Sequence, residues 1–169
     1  MKQSIDQSPA TSAITLRPVA AEDDAFLLEL YATTRADEMA MVPWTPEQQQ
    51  AFIKMQFTAR QEDYQQKYPT ATHEIILSSD RPVGHLYVAR LQHEVRIIDI
   101  TIMPLERNGG IGTFSLRQLL NEAARTGKLV RVYVESYNPS LRFFERLSFK
   151  QVEQHGVHFL LEWTPTSAS

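Results

Sequence analysis

Ile102-Met103-Pro104-Leu105-Glu106-Arg107-Asn108-Gly109-Gly110-Ile111-Gly112-Thr113 is the stretch that decides how this chain is read. An alternating, isoleucine-rich run precedes it and a helical pattern follows, so it joins a strand to a helix. Its spacing, Arg107-x-x-Gly110-x-Gly112, points to a ligand. Glycines remove the side chains that would hold a ligand away from the backbone. Successive N–H groups at a helix start converge and carry partial positive charge. Residues 107–113 therefore suit a pyrophosphate, with Arg107 as a cation at the rim. The plain alternative is an ordinary tight turn. A Walker loop needs Gly-Lys-Ser/Thr, and no lysine follows these glycines. A Rossmann fingerprint is closer. Gly110-Ile-Gly112-Thr-Phe-Ser115 has small residues at its three places, and Glu135 lies about 20 residues further on. That motif follows its strand directly, however, and here Pro104–Asn108 intervene.

Upstream, His73–Ser78, Val83–Leu91 and Glu94–Met103 show a period of two. Their connections, Ser79–Pro82 and Gln92-His93, are short enough for antiparallel hairpins. Gly110–Thr126 reads as a helix with Ile111, Phe114, Leu119 and Ala123 inward and Gly127 as its stop. Further back lie a strand, Ile14–Pro18, and a helix, Glu22–Thr34, with Phe26, Leu27, Leu30 and Tyr31 on one face. A second helix starts at Thr45-Pro46-Glu47-Gln48, a capping-box pattern, and should run to Lys67 with Phe52, Met55 and Ala59 inward. Downstream come a strand, Leu129–Val134, a helix, Pro139–Leu147, capped by Asn138, and a hairpin of Phe149–Gln154 with His158–Trp163. The order β-α-α-β-β-β-α-β-α-β-β predicts an α+β domain. Its sheet should be mixed, mostly antiparallel, with six or seven strands and four flanking helices. Residues 13–163 form one domain, and 1–12 and 164–169 are expected to be loose ends.

Composition narrows the function classes. The net charge of −3 does not suggest a nucleic-acid groove or an anionic membrane surface as partner. No cysteine is present, which removes thiolate nucleophiles and sulfur-bound zinc. No apolar run approaches the roughly 20 residues of a membrane span. The polar Met1–Pro9 carries no signal core, so a cytoplasmic location is expected.

Ile102-Met-Pro104 followed by Gly110-Ile-Gly112 resembles the GNAT superfamily of acetyltransferases, with its fourth strand, its Arg/Gln-x-x-Gly-x-Gly/Ala loop and its third helix. Asn138-Pro-Ser-Leu-Arg-Phe-Phe-Glu-Arg-Leu-Ser-Phe149 is similar to the second signature of that family, and the likeness spans residues 14–163. The resemblance implies acetyl-CoA as co-substrate, no metal, and transfer of an acetyl group to an amine that attacks the thioester directly. It implies that the Ile102 backbone contacts the pantetheine and polarises the thioester carbonyl. Arg107, Asn108, Gly109, Gly110, Ile111, Gly112 and Thr113 would hold the pyrophosphate, and Asn138 would meet the pantetheine. Phe144, also expected to line the cofactor site, stands where the family often has a tyrosine as general acid, and Ser148 where it usually has glycine. A phenyl ring cannot donate a proton, which leaves Tyr137 as an acid candidate.

Asp99, inside Ile97-Ile98-Asp99-Ile100-Thr101-Ile102, is either a catalytic base in a wet cleft or a paired core carboxylate. His73 and His85 lie on strands facing the expected cleft. His155 and His158 flank Gly156 as turn residues, and no metal site is expected. The segment Arg35–Trp44 joins the first two helices. There Met39, Met41 and Trp44 are candidates for an acceptor wall or for plain helix packing. The expected partner is a small-molecule or peptide amine, with the protein as monomer or homodimer. Two other functions are open: a non-catalytic acyl-CoA-binding domain and a dinucleotide-binding oxidoreductase.

Overall fold

In the computed structural model, which describes residues 13–166, seven segments form strands. They are β1 (Ile14–Pro18), β2 (Thr72–Ser78), β3 (Arg81–Arg90), β4 (Glu94–Ile102), β5 (Leu129–Glu135), β6 (Lys150–His155) and β7 (His158–Trp163). They form one sheet in the order β1-β2-β3-β4-β5-β7-β6. Every neighbouring pair is antiparallel except β4 with β5. The expected mixed, mostly antiparallel α+β sheet is the one observed. Between β2 and β3, Ser79 and Asp80 have φ of 49° and 65°, a left-handed pair whose twist matches that of the flanking strands. The expectation for residues 1–12 falls outside the described residues, and 164–166 carry no regular structure.

The helices are α1 (Asp24–Thr34), α2 (Ala36–Ala40), α3 (Pro46–Lys67), α4 (Ile111–Thr126) and α5 (Ser140–Arg146). Four were expected. The fifth, α2, is one short turn inside the segment read as a connection. At the start of α3 the capping box is complete: Gln48 N–H donates to Thr45 Oγ1 at 3.2 Å, and Thr45 N–H to Gln48 Oε1 at 2.9 Å. The inward face of α3 differs from the expected one. Met55 is 57% exposed and Ala59 is exposed, while Ile53 is buried and Phe57, Arg60 and Tyr64 are half-buried. These four recur at helical spacing. Hydrophobicity alone favoured Met55 and Ala59 and hid an arginine that points inward.

Helix α4 packs on one sheet face, where Leu116, Leu119 and Ala123 join Ile76, Leu86, Val88 and Ile97 in the main core. Tyr31, Met39 and Ile53 form a second cluster among α1, α2 and α3. The entry to α1 is held by Arg17, whose Nη1 and Nη2 each donate to Asp23 at 2.8 Å. Hydrogen bonds from Arg17 and from the Ala20 N–H keep the Asp23 carboxyl at about 2.

After α5 the chain turns at Ser148, with φ of 72°. A residue with Cβ is disfavoured there by about 1–2 kcal/mol. Ser148→Gly should relieve that strain at the cost of a more flexible unfolded chain, for a net gain of about 0.5–1 kcal/mol. Chemical denaturation of both proteins measures this. An unchanged or lower midpoint would show that the Ser148 conformation carries no penalty.

Candidate active site

Strand β4 pairs with β5 only from Glu94–Ile97 against Leu129–Val132. Beyond that, Ile98–Ile102 and Tyr133–Glu135 no longer pair, and a fork opens between the two strands. The register of β3 against β4 shifts at the same point. Tyr87 faces Asp99 but Val88 faces Ile97, so Ile98 is an extra residue that bends β4. Further along, Met103 N–H donates to Val83 C=O at 2.8 Å, and Ile102 lies opposite Gly84. The alternation of an antiparallel ladder then turns the Ile102 N–H and C=O away from β3, into the fork. The C=O accepts from Arg107 Nε at 3.1 Å. Gly84 permits this close pairing, since a Cβ there would overlap the Thr101 carbonyl oxygen.

From the tip of β4 the chain makes a short turn, Pro104–Glu106, and reaches the glycines. Asn108 and Gly110 are both left-handed, with φ of 66° and 85°. The first bond of α4 runs from Phe114 N–H to Gly110 C=O at 2.9 Å. The N–H groups of Ile111, Gly112 and Thr113 precede it and have no acceptor within the helix. A Cβ on Gly112 would lie 3.4 Å from the Phe143 ring and 3.8 Å from Ile102 Cγ1. The turn therefore abuts the fork, and its open N–H groups and exposed Arg107 make a cradle for an anion.

On the opposite sheet face, beneath α1 and α3, lies a polar cluster. Asp99 Oδ2 is 2.7 Å from His85 Nε2 and 3.2 Å from Arg60 Nη2, and Thr101 Oγ1 is 3.3 Å from each Asp99 oxygen. His85 Nδ1 is 2.8 Å from His73 Nε2, and the His73 ring stacks on Tyr87 at 4.3 Å. Arg60 Nε donates to Tyr64 Oη at 2.7 Å, and its guanidinium lies 5.4 Å from the Tyr31 ring. A cavity of about 30 Å³ is lined by Tyr31, Thr34, Arg60, His73, Asp99 and Thr101 among others. Burial pushes the Asp99 carboxyl up, but His85, Arg60 and Thr101 outweigh it and hold it well below the usual carboxylate range. Burial, with His85 alongside, lowers His73 to about 4. Among the described residues no group of three or more His, Asp or Glu stands ready to hold a metal ion. No described helix is long and apolar enough to cross a membrane.

The family model of the acetyltransferase (GNAT) family matches residues 28–149. The chain belongs to the GNAT acetyltransferase family. Similar solved structures include the PaiA N-acetyltransferase of Thermoplasma acidophilum in complex with coenzyme A, with a TM-score of 0.67. It is 17% identical, with 89% of this chain and 98% of that one covered. An acetyltransferase from Thermus thermophilus has a TM-score of 0.64 at 17% identity, covering 90% and 97%. The ribosomal-protein-S18-alanine N-acetyltransferase of Escherichia coli has a TM-score of 0.61 at 14% identity, covering 92% and 96%. At these identities the likeness shows the fold. No curated protein matches the sequence.

Within this GNAT fold the sequence-derived candidates fall into three groups. Ile102, Arg107, Asn108, Gly109, Gly110, Ile111, Gly112 and Thr113 are together at the fork and its turn. Asn138 lies past the end of β5; its Oδ1 accepts from the Ser140 N–H at 2.9 Å and its Nδ2 donates to Glu135 at 3.2 Å. It thus caps α5, as expected. The other candidates lie apart. Phe144 is buried between Phe143 and Phe149, and it is Phe143 that reaches the glycine turn. Tyr137 is 75% exposed. Met41 is 87% exposed and Trp44 packs on Phe52 at 5.2 Å, so neither lines the cavity. Of the two roles expected for Asp99, the structure shows the paired carboxylate. As a charged carboxylate bound to Arg60, His85 and Thr101, it is a weak base near neutral pH. His73 and His85 join it, whereas His155 sits at the β6–β7 turn beside Glu153. Sequence reading missed Arg60, Tyr64 and Phe143. The spacing of Phe57, Arg60 and Tyr64 on α3 was the available signal for the first two.

Proposed function

We propose that this protein is an acetyl-CoA-dependent N-acetyltransferase acting on a primary amine by direct attack on the thioester. The fork carries this reading. It turns the Ile102 N–H into a gap that ends at an anion cradle, with a polar cavity behind the same strand. The N–H groups of residues 111–113 and Arg107 would bind the pyrophosphate. The pantetheine would lie along β4 toward Asn138, whose side chain already serves Ser140 and Glu135. The Ile102 N–H would donate to the carbonyl oxygen as negative charge grows there. A preorganised donor of this kind is worth about 2.7–4 kcal/mol. The acceptor must lose its proton to attack, since a free aliphatic amine has a pKa near 10. Phe144 offers no proton to the departing thiolate. A thiol with a pKa of about 8.5 leaves tolerably without one and takes its proton from water. Tyr137 and the Met41–Trp44 segment are surface groups that an acceptor would meet from outside. The acceptor is a small-molecule or peptide amine.

A non-catalytic acyl-CoA-binding domain is the second reading, favoured by the buried Phe144 at the acid position. Two measurements test these readings, the first their shared ligand and the second the difference between them. CoA and acetyl-CoA should each stabilise the protein, by about 2.7 kcal/mol at a hundred times Kd, while NAD, NADP and ATP give no shift. A shift with NAD and none with CoA would overturn both. Release of CoA thiol in the presence of a panel of amines then distinguishes enzyme from binding domain.

A further inference from the structure

We propose that Asn108 is a site of spontaneous covalent modification: its side-chain amide closes onto the Gly109 nitrogen, expels ammonia and leaves a carboxylate at position 108 that ends CoA binding. The loss of binding rests on the acetyltransferase reading. The modification itself rests on the turn alone.

The chain has three asparagines, Asn108, Asn121 and Asn138. Ring closure needs a free backbone N–H on the next residue, room for that nitrogen to reach the side-chain carbon, and an amide not already bound. Asn138 is followed by Pro139, which has no N–H, and its amide serves Ser140 and Glu135. Asn121 is followed by Glu122, whose N–H is taken up in the ladder of α4. Asn108 is followed by Gly109, which has no Cβ to crowd the approach. Both residues are exposed and lie outside any helix or strand. Among the described residues, neither the Asn108 side chain nor the Gly109 N–H has a hydrogen-bond partner. No such bond has to break before the two groups meet, and held together in one turn they react as a single molecule.

The electrostatics of the turn favour the same step. The Gly109 nitrogen attacks after giving its proton to hydroxide, so negative charge builds on the nitrogen and then on the side-chain oxygen. Arg107 precedes Asn108, and the open N–H groups of Ile111, Gly112 and Thr113 add the positive end of α4. The neighbouring acid, Glu106, is paired with Arg81. The positive field that suits a pyrophosphate therefore also stabilises the anion of ring closure. The new bond joins Gly109 N to Asn108 Cγ. The Cγ–Nδ2 bond breaks, and Nδ2 takes a proton from water and leaves as ammonia. Water then opens the cyclic imide at either ring carbonyl. The product is an aspartyl residue, or an isoaspartyl residue whose main chain runs through the former side chain. Each puts a negative charge on the turn that would hold the pyrophosphate, and the isoaspartyl form also lengthens the main chain there. A bound pyrophosphate takes up the same positive field and fixes the turn, so CoA should protect Asn108.

The test ages fresh full-length protein at mildly alkaline pH and physiological temperature, with and without CoA. Peptide mapping by mass spectrometry, with enzymatic labelling of isoaspartyl groups, reads the product at each asparagine. Product should accumulate at position 108 and not at Asn121 or Asn138, and CoA should slow it at least threefold. The fraction modified should match the fraction of CoA binding lost by calorimetry, with the circular dichroism unchanged. Asn108→Asp, made directly, should bind CoA at least tenfold more weakly than fresh wild type. Asn108→Ser should keep its own starting affinity through the same ageing. No product at position 108, or as much at Asn121, would overturn the modification site. Fully modified protein that binds CoA as the fresh protein does, or equal decay of binding in Asn108→Ser, would overturn its consequence. Fresh wild type that binds no CoA would instead defeat the acetyltransferase reading, and the peptide map would still decide the site.

Discussion

Gly110→Asp is expected to lower CoA affinity by roughly a hundredfold or more while the fold persists. Gly110 sits at φ 85° directly before α4. Any side chain there meets some strain, but aspartate tolerates left-handed backbone better than most residues and is a favourable residue at a helix start. Its carboxylate can turn onto the free N–H groups of Gly112 and Thr113. That interaction would offset the strain and also occupy the cradle. A pyrophosphate approaching within about 4 Å then meets a like charge worth about 4 kcal/mol at a surface-type dielectric, more than two decades in affinity. Calorimetry with CoA and circular dichroism on the same sample test this. A folded variant with unchanged affinity would move the phosphates away from residues 107–113.

Asp99→Ala is expected to cost about 3 kcal/mol of stability, the low end for removing one partner of a buried ion pair. The low end applies because the Arg60 side chain is 32% exposed and can recover some water. The variant leaves Arg60 and His85 facing a cavity without their carboxylate. Asp99→Asn keeps the shape and should cost less. The sign of the pH effect follows from the depressed pKa values. His73 takes its proton at about 4 when folded and near 6.5 when unfolded. Between those values the unfolded chain binds more protons, so stability is full above 6.5 and falls as the pH drops toward 4. Asp99 adds a loss below the ordinary carboxylate range. Urea midpoints from pH 7 to 4 should therefore decline for the wild type. A flat profile would mean that His73 is not shielded from protonation.

The local elements were legible because their signals are local. The capping box at Thr45 and Gln48, the Asn138 cap, the stop at Gly127 and the period-two runs of β2 to β4 each depend on residues a few positions apart. The strand-glycine-helix order and the Asn138 segment placed the chain in its family for the same reason. Segment Arg35–Trp44 and the inward face of α3 were less legible. A five-residue helix has little periodicity, and an inward arginine resembles a surface one until its partner is known.

That partner is the part only the tertiary structure decided. Asp99, His85, His73 and Arg60 come from β4, β3, β2 and α3, and only the pairing of β2, β3 and β4 beneath α3 brings them within hydrogen-bond reach. The isoleucines around Asp99 suggested either a paired core acid or a free base. The chain-distant Arg60 and His85 decide for pairing. Likewise the glycines specify a turn able to hold phosphate, because backbone freedom is a property of the residue itself. That the Ile102 N–H faces an open fork depends on where β5 stops pairing with β4 and on the bulge at Ile98. Both are set by register between strands, which local sequence does not encode.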